Sequence, residues 1–190
     1  MVSEALVEKV DYGNVPTGAG WYVLNARDAV WFDKKGRGFE AALECRGHFD
    51  QVGVSLYVLQ PGEPMAMYHW ETDQEDFLLV SGEALLIVEG EERPLRRWDF
   101  VHCPPRTRHT IVGAGDRACV IFAIGSREHH TYRDAEGALH GKPDWGAYAV
   151  DEAALAHRAG VPDETTDAST AYAGFAKAEP IRYQHGLLDD

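Results

Sequence analysis

Residues 68–82 read YHWETDQEDFLLVSG, and this segment holds three potential metal ligands close together. His69 and Glu71 are two positions apart, and side chains at i and i+2 of an extended strand point to the same face. Glu75 keeps the same parity, and the apolar run after it ends in a Ser-Gly pair that is typical of a turn. The segment therefore predicts a polar cluster between two strands, with the three side chains directed to one point.

A fourth potential ligand, His109, follows 34 residues after Glu75, beyond a second strand-like run and a Pro-Pro turn. A neighbouring strand could return it to the same cavity. Two imidazoles with one or two carboxylates suit Fe(II), Mn(II), Zn(II) or Ni(II). We therefore predict one divalent metal ion (Fe, Mn, Zn or Ni) held by His69, Glu71, Glu75 and His109. Imidazole must be neutral to coordinate, so we expect metal affinity to fall as the pH drops through ~6.5.

Each of these four residues also has a simpler interpretation. His69 and His109 could be hydrogen-bonded core histidines, and Glu75 could be a solvated residue of an acidic turn. Glu71 is equally suited to be a ligand or a catalytic proton acceptor beside the metal. We name Glu71 as the candidate catalytic residue and leave its two roles open.

Short apolar segments separated by turns indicate an all-β fold. Residues 21–24, 29–32 and 41–45 are apolar or aromatic and predict strands. In residues 51–60, Val52, Val54, Leu56 and Val58 share one parity, as in a strand with one face on a core. From residue 61 to 124 a turn signal recurs about every ten residues, which is typical of a sandwich or barrel. We predict a closed or nearly closed antiparallel β-barrel over residues 21–124.

The predicted organisation is an N-terminal arm (1–20), a β-barrel domain (21–125) and a C-terminal extension (126–190) with one or two short helices. Residues 151–159 begin with the cap candidate Asp151 and end before Gly160, which indicates a helix. A weaker helix is expected over residues 167–173. Ala154 and Leu155 should pack the first helix on the barrel or across a two-fold interface.

Residues 62–113 resemble the two motifs of the cupin superfamily. The first motif reads G-x5-H-x-H-x3,4-E-x6-G. Its spacing is kept by His69, Glu71, Glu75 and Gly82, with Glu71 in place of the second histidine and Gly62 one residue further upstream than usual. The second motif reads G-x5-P-x-G-x2-H-x3-N. Its proline and histidine are kept as Pro104 and His109, while its two glycines and its asparagine are replaced by Trp98, Arg106 and Gly113.

The resemblance implies an RmlC-like, cupin-type double-stranded β-helix (jelly-roll) barrel, here with a short C-terminal helical tail. Metal ligands with open positions beside them let a substrate oxygen or dioxygen coordinate directly. We therefore expect an enzyme acting on a small oxygenated organic molecule, a dioxygenase first and an isomerase second. The alternative is a metal-free small-molecule or sugar binding and sensing module, in which the same four residues hydrogen-bond the ligand.

Composition narrows the classes of partner. Acidic residues outnumber basic ones 31 to 18, giving a net charge of -13, which disfavours binding to a phosphate backbone. No apolar run approaches the ~20 residues of a membrane span, and the N-terminus lacks the pattern of a secretory signal. The three cysteines form no C-x-x-C pair and are expected to be reduced. We predict a cytoplasmic homodimer that binds a small molecule and neither nucleic acid nor membrane.

Overall fold

A computed structural model describes residues 1–44, 49–128, 132–133, 139–140 and 144–188. The predicted fold class is confirmed: 46% of the chain is strand and 7% is helix. Most strands are short, as the turn spacing predicts. In chain order they are β1 (Leu6–Val10), β2 (Gly13–Thr17), β3 (Val30–Asp33), β4 (Phe39–Ala42), β5 (Val52–Leu59), β6 (His69–Glu71), β7 (Glu75–Ser81), β8 (Glu83–Val88), β9 (Glu91–Arg96), β10 (Phe100–Cys103), β11 (His109–Ala114), β12 (Cys119–Ser126), β13 (Tyr132–Arg133), β14 (Leu139–His140), β15 (Gly146–Tyr148) and β16 (Glu179–Ile181).

Two antiparallel sheets make up the body of the protein. The larger has the strand order β10-β7-β12-β5-β4-β3-β16, and the smaller has the order β15-β6-β11-β8-β9. β1 with β2, and β13 with β14, form separate two-stranded sheets. Within the described residues no strand pairing joins the two main sheets into a closed ring. The predicted barrel is thus a jelly roll of two facing sheets.

The main core lies between the two sheets. Along β7, Phe77 and Leu79 are almost fully buried, while Leu78 between them is only partly buried, as the two-residue period of a strand requires. Strands of both sheets contribute to one apolar cluster: Leu59, Met65, Phe77, Leu79, Ala84, Leu86, Val101, Cys103, Ile111, Cys119 and Ile121. This cluster supports one end of the polar site described below.

A second core covers the outer face of the seven-stranded sheet. Trp31 and Val58 are completely buried there, together with Leu187 near the C-terminus. On β5 the sequence predicted that the parity of Val58 would face the core. In the structure that parity faces this second cluster, while Tyr57 and Leu59 face the space between the sheets. Both faces of β5 are apolar because the C-terminal residues shield its outer side from water.

The predicted helices are present but short. They are α1 (Glu152–Ala156) and α2 (Ala168–Ala171), and a 3-10 helix spans Ala26–Asp28. Asp151 caps α1 by accepting a hydrogen bond from the amide of Ala154 at 2.9 Å. Ala154 is fully buried, whereas Leu155, expected to share its apolar face, is 42% exposed. No helix in the described part of the chain is both long and apolar enough to cross a membrane.

Segments after residue 126 take part in both main sheets. β15 pairs with β6 in the smaller sheet, and β16 pairs with β3 in the larger one. α1 docks Ala154 in a buried cluster with Tyr68, Ile87 and Val112. The tail thus adds strands to the structure as well as helices.

Residues 21–24 do not form the predicted strand. Trp21 makes only an isolated parallel bridge with Glu4, and Trp21 and Val23 are 53% and 82% exposed. Both the larger sheet and the β1-β2 hairpin are built without this segment, so Trp21 and Val23 stay exposed, while Tyr22 and Leu24 are half-buried. The apolar run alone was a misleading signal.

Candidate metal centre

Three strand ends bring the predicted ligands together. His69 begins β6, Glu75 begins β7 and His109 begins β11. His69 and His109 are opposite each other in the antiparallel pair of β6 and β11. Cys103 pairs with Glu75 on the neighbouring strand β10. Register in both sheets therefore fixes where these side chains enter the space between them.

His69, Glu75 and His109 form one compact cluster. Each offers a ligand atom, and these atoms all lie within 4.8 Å of one another. The Nε2 atoms of His69 and His109 are 3.4 and 3.3 Å from Oε2 of Glu75. The two imidazole rings are tilted, with centroids 5.0 Å apart. The same three residues are ligands in the sequence-based prediction.

Backbone carbonyls orient both imidazoles. Nδ1 of His69 lies 2.8 Å from the carbonyl oxygen of Met67, and Nδ1 of His109 lies 3.0 Å from that of Thr107. A carbonyl oxygen can only accept, so each Nδ1 carries the proton and donates it. The Nε2 atoms are then the ones available to a metal, which is the arrangement that supporting residues give to metal-binding histidines.

Two buried polar atoms of the cluster lack hydrogen bonds. Oε2 of Glu75 and Nε2 of His109 have no hydrogen-bond partner among the described residues. They are close enough for an ion pair, but their contact is not aligned as a hydrogen bond. Buried polar groups are normally satisfied, and an unpaired one calls for an ion or water. These donors fit a metal ion held by His69, Glu75 and His109.

Electrostatics within the cluster favour charged side chains. Burial tends to lower the pKa of His69, but the close contacts with Glu71 and Glu75 raise it to about 10. Burial also tends to lower the pKa of His109, but the contacts with the Cys103 thiol and Glu75 raise it to about 9. Burial would raise the pKa of Glu75, and the two imidazoles instead hold it well below its ordinary value. Protons therefore compete with metal far above the pH of ~6.5 expected from free histidine.

Glu71, the fourth predicted ligand, lies beside the cluster. Its Oε1 is 3.6 Å from Nε2 of His69, and its side chain is 25% exposed. The amide of Arg106 donates a 2.6 Å hydrogen bond to the carbonyl oxygen of Glu71, which fixes the end of β6. Glu71 is thus placed at the edge of the cluster, with its carboxylate open to the cavity.

A cavity of about 180 Å³ opens next to these carboxylates. Its wall contains Glu71 from the five-stranded sheet and Glu75, Ser55 and Tyr57 from the seven-stranded sheet, with Arg127 just after β12. A larger hollow of about 440 Å³ on the outer face of the seven-stranded sheet has neither histidine nor carboxylate among its lining residues. We assign the candidate reaction site to the smaller cavity because, of these two, only the smaller one is lined by carboxylates that could bind a metal.

Aromatic residues from the tail pack beside His69. The ring of Tyr148 lies 6.1 Å from that of His69, and Trp145 lies 6.5 Å from it, as measured between centroids. Tyr172 packs edge-on against Tyr148. No motif in the sequence points to these three residues, which lie in the predicted C-terminal extension. The density of aromatic residues around residues 145–148 was the only signal that pointed to them.

Residues 55–125 match the family model of the cupin domain. This segment of the chain is a domain of the cupin superfamily. The matched residues include all three residues of the candidate metal site. No curated protein is significantly similar to the chain in sequence.

Several solved structures resemble this cupin. A candidate sugar phosphate isomerase from Acidithiobacillus ferrooxidans is 25% identical over 47% of this chain and 65% of its own, with a TM-score of 0.40. The match thus spans less than two thirds of that protein. A Cupin 2 conserved barrel domain protein from Salinispora arenicola is 21% identical over 57% of this chain and 88% of its own, with a TM-score of 0.45. The polyketide cyclase RemF from Streptomyces resistomycificus is 11% identical over 56% of this chain and 79% of its own, with a TM-score of 0.49.

Proposed function

We propose that this cupin is a metal-dependent enzyme that acts on a small oxygenated organic molecule. The observation that carries the proposal is the pair of buried, unpartnered atoms, Oε2 of Glu75 and Nε2 of His109, which lie together with Nε2 of His69. A hydrogen-bonded core histidine would have its Nε2 satisfied. The donor set suits a divalent metal of the Fe, Mn, Zn or Ni type.

A metal bound by two imidazoles and one carboxylate supplies open positions at which a substrate oxygen or dioxygen can bind. This donor set favours a dioxygenase over an isomerase. The protein's own residues perform the remaining tasks. The size of the cavity restricts the substrate to a small molecule, and the rings of Trp145 and Tyr148 pack beside His69.

Glu71 is proposed as the proton acceptor. Its carboxylate borders the cavity, lies outside the three-residue cluster and retains partial contact with solvent. A general base needs to reach the proton that it removes and then lose that proton to water. An isomerase would use the same carboxylate to move a proton from one atom of its substrate to another. With a native metal that is not redox-active, Glu71 therefore favours an isomerase over a dioxygenase.

Two measurements test the proposal: the metal content of the purified protein, and the binding of a small ligand at the open coordination positions of the metal. We expect the purified protein to bind about one divalent ion, as the single cluster predicts. The Fe(II)-loaded protein exposed to nitric oxide should give the S = 3/2 electron paramagnetic resonance signal of an open iron site. His69→Ala and His109→Ala should lose both the metal and the signal. His102→Ala is the matched control, because His102 is also a histidine near a carboxylate but is half exposed and bonded to Asp76.

Oxygen uptake then separates the subclasses. A dioxygenase consumes dioxygen in the Fe(II) form and is silent with Zn(II), whereas an isomerase turns over anaerobically. Protein that stays metal-free after growth with excess Fe, Mn, Zn and Ni would overturn the enzyme proposal in favour of the binding module.

A further inference from the structure

The cavity of about 180 Å³ has a polar surface that the proposed function does not use. Ser55 and Tyr57 are two positions apart on β5, and both line this cavity together with the two carboxylates described above. Side chains at i and i+2 of a strand point to the same face, so the two hydroxyl groups belong to one surface. The other lining residues of β5 and β12 include three small ones: Gly53, Ala123 and Gly125. Their small size keeps the space beside the hydroxyl groups open.

Both hydroxyl groups interact with the same acid, Glu40 of β4, which lies opposite Tyr57 in the sheet. The hydroxyl of Ser55 donates a 2.9 Å hydrogen bond to Oε1 of Glu40, and Nζ of Lys34 donates one of 2.7 Å to Oε2. The hydroxyl of Tyr57 interacts with the same carboxylate. Burial would raise the pKa of Glu40, but Lys34 and the two hydroxyls hold it below its ordinary value. Glu40 is therefore ionised at neutral pH and is a strong acceptor for the hydroxyl protons.

The position of these protons determines what the hydroxyls can offer a ligand. A hydroxyl group has one proton and two lone pairs. Ser55 gives its single proton to Glu40, so its oxygen can only accept from a ligand. Burial and the charge of Glu40 raise the pKa of Tyr57 well above its ordinary value, so the phenol keeps its proton and directs it to that acid. Glu71 and Glu75 add carboxylate oxygens, which are acceptors as well. Acceptors therefore dominate the wall of the cavity.

The charges around the cavity are balanced without a ligand. Among the described residues of its wall the cation is Arg127, whose Nη atoms donate to both carboxylate oxygens of Glu44 at 2.8 and 2.9 Å. Both side chains of this pair are nearly buried, at 11% and 13% exposure. A divalent ion with neutral imidazoles would be matched by Glu71 and Glu75. An anionic ligand would thus enter the cavity without a counter-charge, which is costly in a partly buried site.

We propose that the substrate is an uncharged molecule with two or more hydroxyl groups, which it donates to Glu71 and to the oxygens of Ser55 and Tyr57. Each acceptor of the wall then has a donor, as buried polar groups require. A polyol and a polyphenol share this chemistry. The hydroxyl group bound by Glu71 is the one whose proton that carboxylate takes, in keeping with its role as proton acceptor. This assignment of substrate class rests on the proposed function.

The test is calorimetric titration of the Zn(II)-loaded protein with catechol, D-xylose and benzoate, an anion without hydroxyl groups. Wild type should bind catechol or D-xylose more tightly than benzoate. Ser55→Ala and Tyr57→Phe should each weaken binding of that hydroxylated probe by about 5-fold or more, because a ligand hydroxyl is left without its acceptor. Each should change the affinity for benzoate by less than about 2-fold. Lys34 still pairs with Glu40 in both variants, so the fold is kept. The matched control is Tyr12→Phe, since Tyr12 is 44% exposed and outside the cavity.

The two proposals fail separately because metal content is measured on the same samples. Wild-type protein that binds no metal contradicts the proposed function, and the same titrations on that protein still test the hydroxyl site. Three results overturn the substrate class: benzoate is the tightest ligand, neither hydroxylated probe binds, or Ser55→Ala and Tyr57→Phe both leave the affinities unchanged. Tighter binding of catechol assigns a polyphenol, and tighter binding of D-xylose assigns a polyol.

Discussion

Loading the metal-free protein with Zn(II) at pH ~7.5 should release protons from the two histidine ligands. The acids beside them raise the pKa of His69 to about 10 and that of His109 to about 9, so both imidazoles are protonated before metal arrives. Nε2 must lose its proton to coordinate. Glu75 is already ionised, because its pKa is lowered, and it releases none.

The size of the effect follows from these values. At pH ~7.5 each histidine is more than ~95% protonated, so about two protons should leave for each ion bound. Histidines with the ordinary value of ~6.5 would be only about 10% protonated, and the pair would release about 0.2 proton. The logarithm of the affinity should rise by about 2 per pH unit between pH ~7 and ~8, by about 1.4 per unit at pH ~9, and level off above pH ~11.

Calorimetry in several buffers measures this number directly. The observed enthalpy depends linearly on the ionisation enthalpy of the buffer, and the slope is the number of protons released. Zn(II) titrations in PIPES, HEPES and Tris at one pH are sufficient. His102→Ala should leave the slope unchanged, since that side chain is outside the cluster. A slope below about 0.5 would show that the ligands are neutral before binding, and would refute the charged cluster described above.

Three further predictions concern the acid beside the metal, stability and the tail. Glu71→Gln should keep metal content within about 3-fold of wild type but abolish turnover, because Glu71 lies outside the ligand cluster; loss of the metal on elemental analysis would make it a ligand instead. The melting temperature of the metal-free protein should fall between pH ~6.5 and ~10, because a histidine with a raised pKa stabilises the fold fully below its unfolded value and no longer does so above its folded value. A flat profile would exclude this contribution from His69 and His109. Ala154→Leu should cost about 1–3 kcal/mol by overpacking, and Leu155→Ala less than about 0.5 kcal/mol; equal costs in urea denaturation would contradict the docking of α1.

Local signals were sufficient for most of the architecture and for bringing His69, Glu75 and His109 into one candidate metal site. The sequence directly reveals features that depend on neighbouring residues. Examples are the alternating burial along β7 and the turn before β8. Gly82 has φ +75° with Ala118 and Cys119 against it, so the turn there requires glycine. The spacing of His69 and Glu75 likewise follows from strand parity.

What the sequence could not supply depends on contacts between distant segments. β15 is only three residues long and carries no periodicity, so nothing local indicates that it pairs with β6. The raised histidine pKa values arise from burial and from the approach of acids, which are known only once the sheets are assembled. Residues 21–24 show the reverse case, in which a strand-like run finds no partner sheet.

The two motif positions where glycine is replaced illustrate how backbone shape can persist without its usual residue. Trp98 has φ +76° and Arg106 has φ +72°, which are left-handed conformations that favour glycine. Each costs the fold about 1–2 kcal/mol relative to a relaxed residue. The amide of Arg106 nevertheless bonds to Glu71, and its guanidinium lies 5.4 Å from the ring of Trp70. The turn at Arg106 therefore still holds the end of β6 by this hydrogen bond, although it carries a large side chain in place of glycine.

The pairing of β15 with β6 has a consequence for how the protein is made. Both sequence motifs leave the ribosome well before the residues of β15, yet Tyr148 lies opposite His69 in the finished sheet and Trp145 accepts a hydrogen bond from Thr72. A nascent chain that has completed its motifs still lacks the wall on one side of its histidines. Binding of the proposed metal would therefore depend on the synthesis of β15, and a polypeptide cut short before β15 would lack the aromatic residues that pack beside His69.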